Sequence, residues 1–186
     1  KTLEQRLARV IESAQAEQTE HALAIIDIDQ FRVVNDTGGP PVGDELLRQV
    51  AHALRDATRK RDTLARIGGD EFAVLLEDCS VSAAFATCDA LRRAIEDCEF
   101  NLEGRRYKVS ASIGIVPINA FCESPGSALS MADTACYAAK DSGRNRIHIY
   151  QPDSLQVVTR HGEMRLAARI NSALLEDRFA LCFQPI

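Results

Sequence analysis

The chain has no run of about twenty apolar residues, so it contains no transmembrane helix. Basic charge is not in excess either: 22 Lys and Arg against 27 Asp and Glu leave a net charge of −5. That argues against a nucleic-acid polymer as partner, and it means any anionic ligand must be gripped by local cations. No GxxxxGK[ST] run is present, which excludes a Walker-type phosphate cradle. The six cysteines (79, 88, 98, 122, 136 and 182) show no Cys-x-x-Cys spacing and no paired His. Three of them fall on apolar helical phases, which predicts buried free thiols in a reducing compartment. The opening, Lys1-Thr2-Leu3-Glu4-Gln5-Arg6, carries an early acid and no apolar core, so it is not a signal peptide. These absences predict a cytoplasmic domain, whose parent protein can still reach a membrane through regions outside this sequence.

What the sequence does have is an acidic pair on a hairpin. Leu64-Ala65-Arg66-Ile67 and Phe72-Ala73-Val74-Leu75-Leu76 are short apolar runs joined through Gly68-Gly69. Such a pattern predicts a β-hairpin, with the glycines supplying the positive φ angles of a tight primed turn. Asp70-Glu71 then places two like charges side by side where the second strand leaves the turn. A divalent cation with oxygen ligands would relieve their repulsion. Ala22-Leu23-Ala24-Ile25-Ile26 predicts a strand buried on both faces, and it ends in a second acidic cluster, Asp27-Ile28-Asp29. Two carboxylate clusters from separate strands, facing each other, would make a metal-binding cup able to hold a triphosphate. Asp29 is assigned a structural role beside them, and Asp36 an Asx-turn.

With 186 residues, 46% of them apolar and 26% charged, the chain suits one domain with a short appendage. A first amphipathic helix carries Leu3, Leu7, Val10, Ile11 and Ala14. Residues 35–44 read as a turn-rich loop, with Asp44 as N-cap of a helix that ends in Arg59-Lys60-Arg61. Further helices are expected over about Val81–Cys98 and Ser127–Asp141, the second stopped by Gly143. Tyr107–Val116 reads as a half-buried strand paired with Phe100-Asn101-Leu102, and Ile147–Tyr150 as a last strand. The order α-β-α-β-β-α-β-β-α-β predicts an α/β (α+β) domain, a mixed central sheet flanked by helices. After Tyr150 the texture changes to a linker, a helix carrying Met164 to Leu174, and an apolar strand at Phe179–Phe183 that predicts continuation into a next domain.

Gly68-Gly69-Asp70-Glu71-Phe72 is literally a GGDEF signature, and the chain resembles GGDEF-domain diguanylate cyclases over residues 1–150. Asp27 to Asp36 resembles the family's DIDxFKxIND segment, Gly43-Asp44 its GD, and Ala139-Lys140-Asp141-Ser142-Gly143-Arg144-Asn145 its AKxxGRN. The tail, within residues 151–186, resembles the opening of an EAL phosphodiesterase domain. The resemblance implies a polymerase-palm-like, nucleotidyl-cyclase-like fold and condensation of two GTP into cyclic di-GMP and two pyrophosphates. It implies two-metal phosphoryl transfer, with Mg²⁺ (or Mn²⁺) held by Asp27, Asp70 and the Ile28 carbonyl, and Glu71 helping to hold the second metal or assisting the attacking 3′-hydroxyl; Asp27, Asp70 and Glu71 are the catalytic set. Asn35 and Asp44 would read guanine, and Arg32, Lys140 and Arg144 would grip phosphates. Phe31, Gly68 and Gly69 complete the nucleotide-binding set. A two-fold homodimer would bring two GTP together, and Arg59 and Asp62, in an Arg-x-x-Asp pattern, would bind product at an inhibitory site.

Three departures from the family pattern stand out. Gly38-Gly39-Pro40-Pro41 replaces the usual aromatic and Gly-His beside the guanine pocket. Arg32 replaces Lys, and the DxLTGLxNR entry segment is absent from this sequence. Arg66 is open between a ligand contact and a solvated strand residue. The altered loop and the EAL-like tail motivate a second reading, a GTP-binding regulatory module that controls an attached phosphodiesterase.

Overall fold

The computed structural model describes residues 2–98, 100–102 and 105–151. The protein divides into residues 1–150 and residues 151–186, and the architecture below is that of the first unit. The linker helix and EAL-like strand expected after Tyr150 lie outside the described residues.

Strand β1 (His21–Ile28) is the continuous apolar run, and all eight of its residues are buried. It lies between β3 (Glu71–Leu76) and β6 (Ala111–Ile118), antiparallel to both. With β2 (Thr63–Arg66) beyond β3, and β7 (Ile147–Ile149) parallel to β6, the sheet order is β2-β3-β1-β6-β7. Because successive residues of a strand point to opposite faces, β1 feeds two cores. Ala22, Ala24, Ile26 and Ile28 pack in one. There they meet α3 (Pro40–Ala57), through Leu46, Val50 and Leu54, and α4 (Val81–Glu96), through Cys88, Leu91 and Ile95. Leu23 and Ile25 pack in the other core. Their partners are α1 (Leu3–Glu17), through Leu7, Val10 and Ile11, and α5 (Pro125–Asp141), through Ala128, Ala132 and Cys136. Burial on both faces is why β1 reads as an unbroken apolar run. The two cores place α5 on the same side of the sheet as the odd-numbered residues of β1, Asp27 included. Gly114 on β6 permits the close approach of α5. A Cβ there would come within 2.2 Å of both the Ala132 carbonyl oxygen and the Cys136 nitrogen.

The structure corrects the expectations in five places. Residues 31–38 form a helix of their own, α2 (Phe31–Gly38), so Asp36 lies in a helix and pairs with Arg32 rather than making an Asx-turn. Gly39, at φ 82°, breaks the chain, and α3 starts at once on Pro40 and Pro41. Prolines suit the first helical positions, where no N–H is needed and φ is already helical. Asp44 therefore sits inside α3 and does not cap it, and the helix ends at Ala57, before Arg59. The connection from β2 to β3 is a longer loop in which the Ile67 and Gly68 amides both donate to the Glu71 carbonyl, at 3.0 and 3.3 Å. Neither Gly68 nor Gly69 has a positive φ, so this is not a primed two-residue turn. Finally, Tyr107–Val116 is two strands: β5 (Arg105–Tyr107) pairs with β4 (Phe100–Leu102) in a separate hairpin, and β6 is a buried central strand.

All five described cysteines are free, and only Cys98 is partly exposed. Burial pushes the Cys88 and Cys136 thiols up to about 12, so both stay neutral packing groups. Cys182 lies outside the described residues. Among the described residues no helix is long and apolar enough to cross a membrane.

Candidate active site

The two acidic clusters meet where β1 and β3 end together. Asp27 is in register with Glu71, and the Ile28 amide donates to the Asp70 carbonyl at 3.1 Å. Antiparallel pairing therefore brings the three carboxylate residues, far apart in sequence, together at the end of two adjacent interior strands. Asp27 is buried at 6% exposure, yet its Oδ2 accepts a hydrogen bond from Lys140 Nζ, at the last turn of α5. Burial pushes the Asp27 carboxyl above the ordinary carboxylate value of 3.8; Lys140 pulls it back, while Asp70 and Glu71 push it up again. Burial works against the Lys140 charge too, but the bond to Asp27 wins and holds its ammonium above the ordinary value.

Asp29, two residues on, is equally buried but belongs to a different network. Ser110 and Ser112 hydroxyls each donate to it at 2.7 Å, and the Asn145 amide donates at 3.0 Å. With those donors it anchors the loop after α5 to the end of β1, the structural role expected of it. Arg144 lies on that loop, in the left-handed region at φ 61°, with its side chain exposed.

The hairpin loop is held by a residue whose role the sequence left open. Arg66 Nη2 donates to the Gly69 carbonyl at 2.6 Å, and its Nε lies 3.1–3.2 Å from the Gly68 and Gly69 carbonyls. A guanidinium across two carbonyls fixes the segment that presents Asp70. Gly68 leaves room for the Glu71 side chain: a Cβ there would come within 2.5 Å of Glu71 Oε2.

On the other core's side, α2 crosses α3 where Gly43 has no side chain. A Cβ at Gly43 would overlap Asn35 Oδ1 at 1.8 Å and touch the Phe31 ring at 3.0 Å. The structure thus gathers Phe31, Asn35 and Gly43 at one crossing. Next along α3, Asp44 opens onto a cleft of about 400 Å³ whose walls include Leu47, Leu64, Arg66 and Phe72. Arg32 stands in solvent on α2, 3.7 Å from Asp36.

Asp62 and Arg59 share a turn, closed by the Asp62 amide donating to the Arg59 carbonyl at 3.0 Å. Asp62 is 9% exposed; its Oδ1 accepts from the Glu77 amide at 3.2 Å, while its Oδ2 is buried with no hydrogen-bond partner. An orphaned buried carboxylate oxygen is costly unless a ligand satisfies it.

The donor set at the end of β1 is all oxygen, as a hard divalent cation requires. Among the described residues no three His, Cys, Asp or Glu side chains close into a cage. Mg²⁺ does not need one, because it is commonly held by one or two carboxylates together with substrate phosphates. The residues present fit such an ion.

A family model described as diguanylate cyclase, GGDEF domain, matches residues 1–146. Over 165 residues the chain is 38% identical to the probable diguanylate cyclase DgcE of Escherichia coli (strain K12), covering 89% of this chain and 15% of that protein. It is 40% identical over 126 residues to diguanylate cyclase A of Treponema denticola, covering 68% of this chain and 34% of that one. The chain thus spans about a third or less of the length of these curated relatives. Among solved structures, the GGDEF domain of DgcB from Caulobacter crescentus, determined in complex with c-di-GMP, is similar with a TM-score of 0.74 at 30% identity. That match covers 78% of this chain and 86% of the other. The five-stranded mixed sheet with its flanking helices is the palm-like nucleotidyl-cyclase fold.

Proposed function

This chain belongs to the GGDEF family of diguanylate cyclases, and from that premise we propose that it condenses two GTP into cyclic di-GMP and two pyrophosphates. The observation that carries the proposal is the meeting of Asp27 with Asp70 and Glu71 where β1 and β3 end together, under Lys140. Asp27, the Ile28 carbonyl, Asp70 and Glu71 are the groups that would hold Mg²⁺. When bound, the metal stabilises the entering and leaving oxygens and withdraws charge from the triphosphate. Lys140 and Arg144, from the end of α5 and the loop beyond it, grip phosphate oxygens and supply the cations that an acidic protein needs for this ligand. Arg32, exposed on α2 beside Asp36, is a further cation for the same phosphates. Asn35 and Asp44 read the base: the Asp44 carboxylate accepts from guanine N1–H and the exocyclic amine, a pair of donors that adenine does not offer. Phe31, Gly68 and Gly69 shape the walls.

In each half-reaction a 3′-hydroxyl attacks the α-phosphorus of the other GTP. A P–O3′ bond forms as the 3′-hydroxyl proton passes to the Glu71 carboxylate, the bond to the β,γ-diphosphate breaks, and pyrophosphate leaves. One site holds one GTP, so two copies related by a two-fold axis supply the pair. Arg59 and Asp62 hold product in an inhibitory site, for which the orphaned Asp62 Oδ2 is the supporting observation. The tail's likeness to an EAL opening supports a GGDEF–EAL parent. A regulatory module that binds GTP without turning it over is the less favoured reading.

The test is to incubate the chain with GTP and Mg²⁺ at rising protein concentration and separate the products, with Asp70→Ala as control. Cyclic di-GMP that disappears in the variant, with specific activity rising with concentration, supports the proposal. GTP binding without product at any concentration overturns it in favour of the regulatory module.

A further inference from the structure

Helix α4 contributes nothing to the proposed catalytic set, yet it carries a charged triad that contacts Asn145 on the loop after α5. Arg92, whose side chain is 14% exposed, bonds Asp89 through Nε and Nη2 at 3.2 Å and Glu96 through Nη1 at 2.8 Å. The same Nη1 donates to Asn145 Oδ1 at 2.7 Å, across 53 residues of sequence. Glu96 Oε1 in turn accepts from Asn145 Nδ2 at 3.0 Å. Only one orientation of the Asn145 amide satisfies both partners: oxygen to the guanidinium, nitrogen to the carboxylate.

Asn145 is also where the chain is conformationally most demanding. Gly143, Arg144 and Asn145 have φ of 118°, 61° and 47°, three successive residues at positive φ, two of which carry side chains. Such a segment persists only where its surroundings over-determine it. Here they do: α4 clamps the Asn145 side chain at both ends, Asp29 accepts its amide, and the Arg144 amide donates to the Ala139 carbonyl at 3.1 Å. The Arg144 side chain itself projects into solvent. Its direction is therefore set by the backbone that the clamp holds.

We propose that Arg92 and Glu96 are positioning residues for nucleotide binding: through Asn145 they lock the left-handed loop that aims Arg144 at the ligand's phosphates. The proposal rests on the phosphate-gripping role given to Arg144 above. The Asp89–Arg92–Glu96 triad keeps the clamp charged, so that Asn145 meets a guanidinium and a carboxylate rather than water, and such bonds are the stronger kind.

The experiment measures the affinity of the whole chain for 3′-deoxy-GTP with Mg²⁺, a ligand that binds but has no 3′-hydroxyl to react. The set is Arg92→Gln, Glu96→Ala and Arg144→Ala, each alone, and each of the first two combined with the third. Arg92→Gln and Glu96→Ala should each weaken binding about tenfold, the loss of one charge-assisted hydrogen bond. Neither should weaken it further in the Arg144→Ala background, because groups acting through one residue are not additive. A structural role elsewhere would give multiplicative losses in the double variants, and that result overturns the proposal. Wild-type affinity in Glu96→Ala overturns it as well; Glu96 is partly exposed, so this variant carries the test if Arg92→Gln does not fold. Wild-type affinity in Arg144→Ala sinks the proposal too, while leaving the cyclase reading to the Asp70→Ala product assay.

Discussion

Lys140, from the last turn of α5, hydrogen-bonds Asp27, from the buried end of β1, across 113 residues of sequence. The pair ties the helix that leads into the Gly143–Asn145 loop to the strand that carries the acidic cluster. It also means that the chain itself already sets a cation beside Asp27. Removing it leaves a buried carboxylate facing Asp70 and Glu71 without compensation. Lys140→Met should lower stability at neutral pH by about 1–3 kcal/mol, short of a fully buried pair because the Lys140 side chain is one-third exposed. The loss should shrink when Mg²⁺ is added, since the cation then takes over the role of the ammonium. Urea melts with and without Mg²⁺ measure both effects; a deficit unchanged by Mg²⁺ would count against a metal at this cluster.

The raised value of Asp27 gives stability a direction with pH. Between its ordinary value of 3.8 and its higher value in the fold, the native state binds more protons than the unfolded chain. Asp27 thus contributes stability that is complete below 3.8 and is lost as pH rises through the folded value. Melts of the metal-free chain taken upward from 3.8, the ordinary value of Asp27, should show this falling limb, and Asp27→Asn should flatten it. Mg²⁺ competes with the proton for the same group, so its stabilising effect should grow as pH rises through that window. A Mg²⁺ effect independent of pH would remove Asp27 from the ligand set.

The acidic cluster was legible in the sequence because charge at the end of an unbroken apolar run is costly, and the cost marks Asp27 before any fold is known. The double burial of β1 and the mixed sheet followed from the same run. Less legible was anything that depends on crossing angles. Pro40-Pro41 looked like loop chemistry, yet prolines at the first two positions of α3 are helix-compatible, so α2 and α3 abut across Gly39 alone. Gly68 and Gly69 looked like turn glycines, but neither has a positive φ, and Gly68 lies against the Glu71 side chain. Arg66, Asn145, Arg92 and Glu96 act through long-range bonds to carbonyls and amides, which no local periodicity encodes.

Asp62 supplies a third prediction. Its Oδ1 is committed to the Glu77 amide, and its Oδ2 is buried without a partner, so it has acceptor capacity that a ligand can use once the Arg59–Asp62 turn shifts to expose it. Arg59→Ala should leave the melting temperature unchanged, because Arg59 is exposed and its backbone carbonyl closes the turn. It should nevertheless weaken cyclic di-GMP binding at least tenfold, the loss of about one charge-assisted hydrogen bond. Calorimetric titration with cyclic di-GMP checks this; equal affinity in the variant would remove Arg59 from the product site.

Gly43 offers the cleanest separation of binding from stability. It lies inside α3 with a helical backbone, so replacement by alanine meets no conformational barrier and adds up to about 1 kcal/mol of helix propensity. The added Cβ, however, would fall 1.8 Å from Asn35 Oδ1 and 3.0 Å from the Phe31 ring. An approach of 1.8 Å is impossible, and a side-chain amide gives way more readily than two packed helices. Asn35 must therefore rotate away from the place where it is proposed to meet guanine. Gly43→Ala should melt within about 1 kcal/mol of the parent, since the better helix propensity of alanine offsets the cost of displacing the Asn35 side chain. Its affinity for 3′-deoxy-GTP should fall about tenfold or more. No loss would move the base away from the crossing of α2 and α3 altogether.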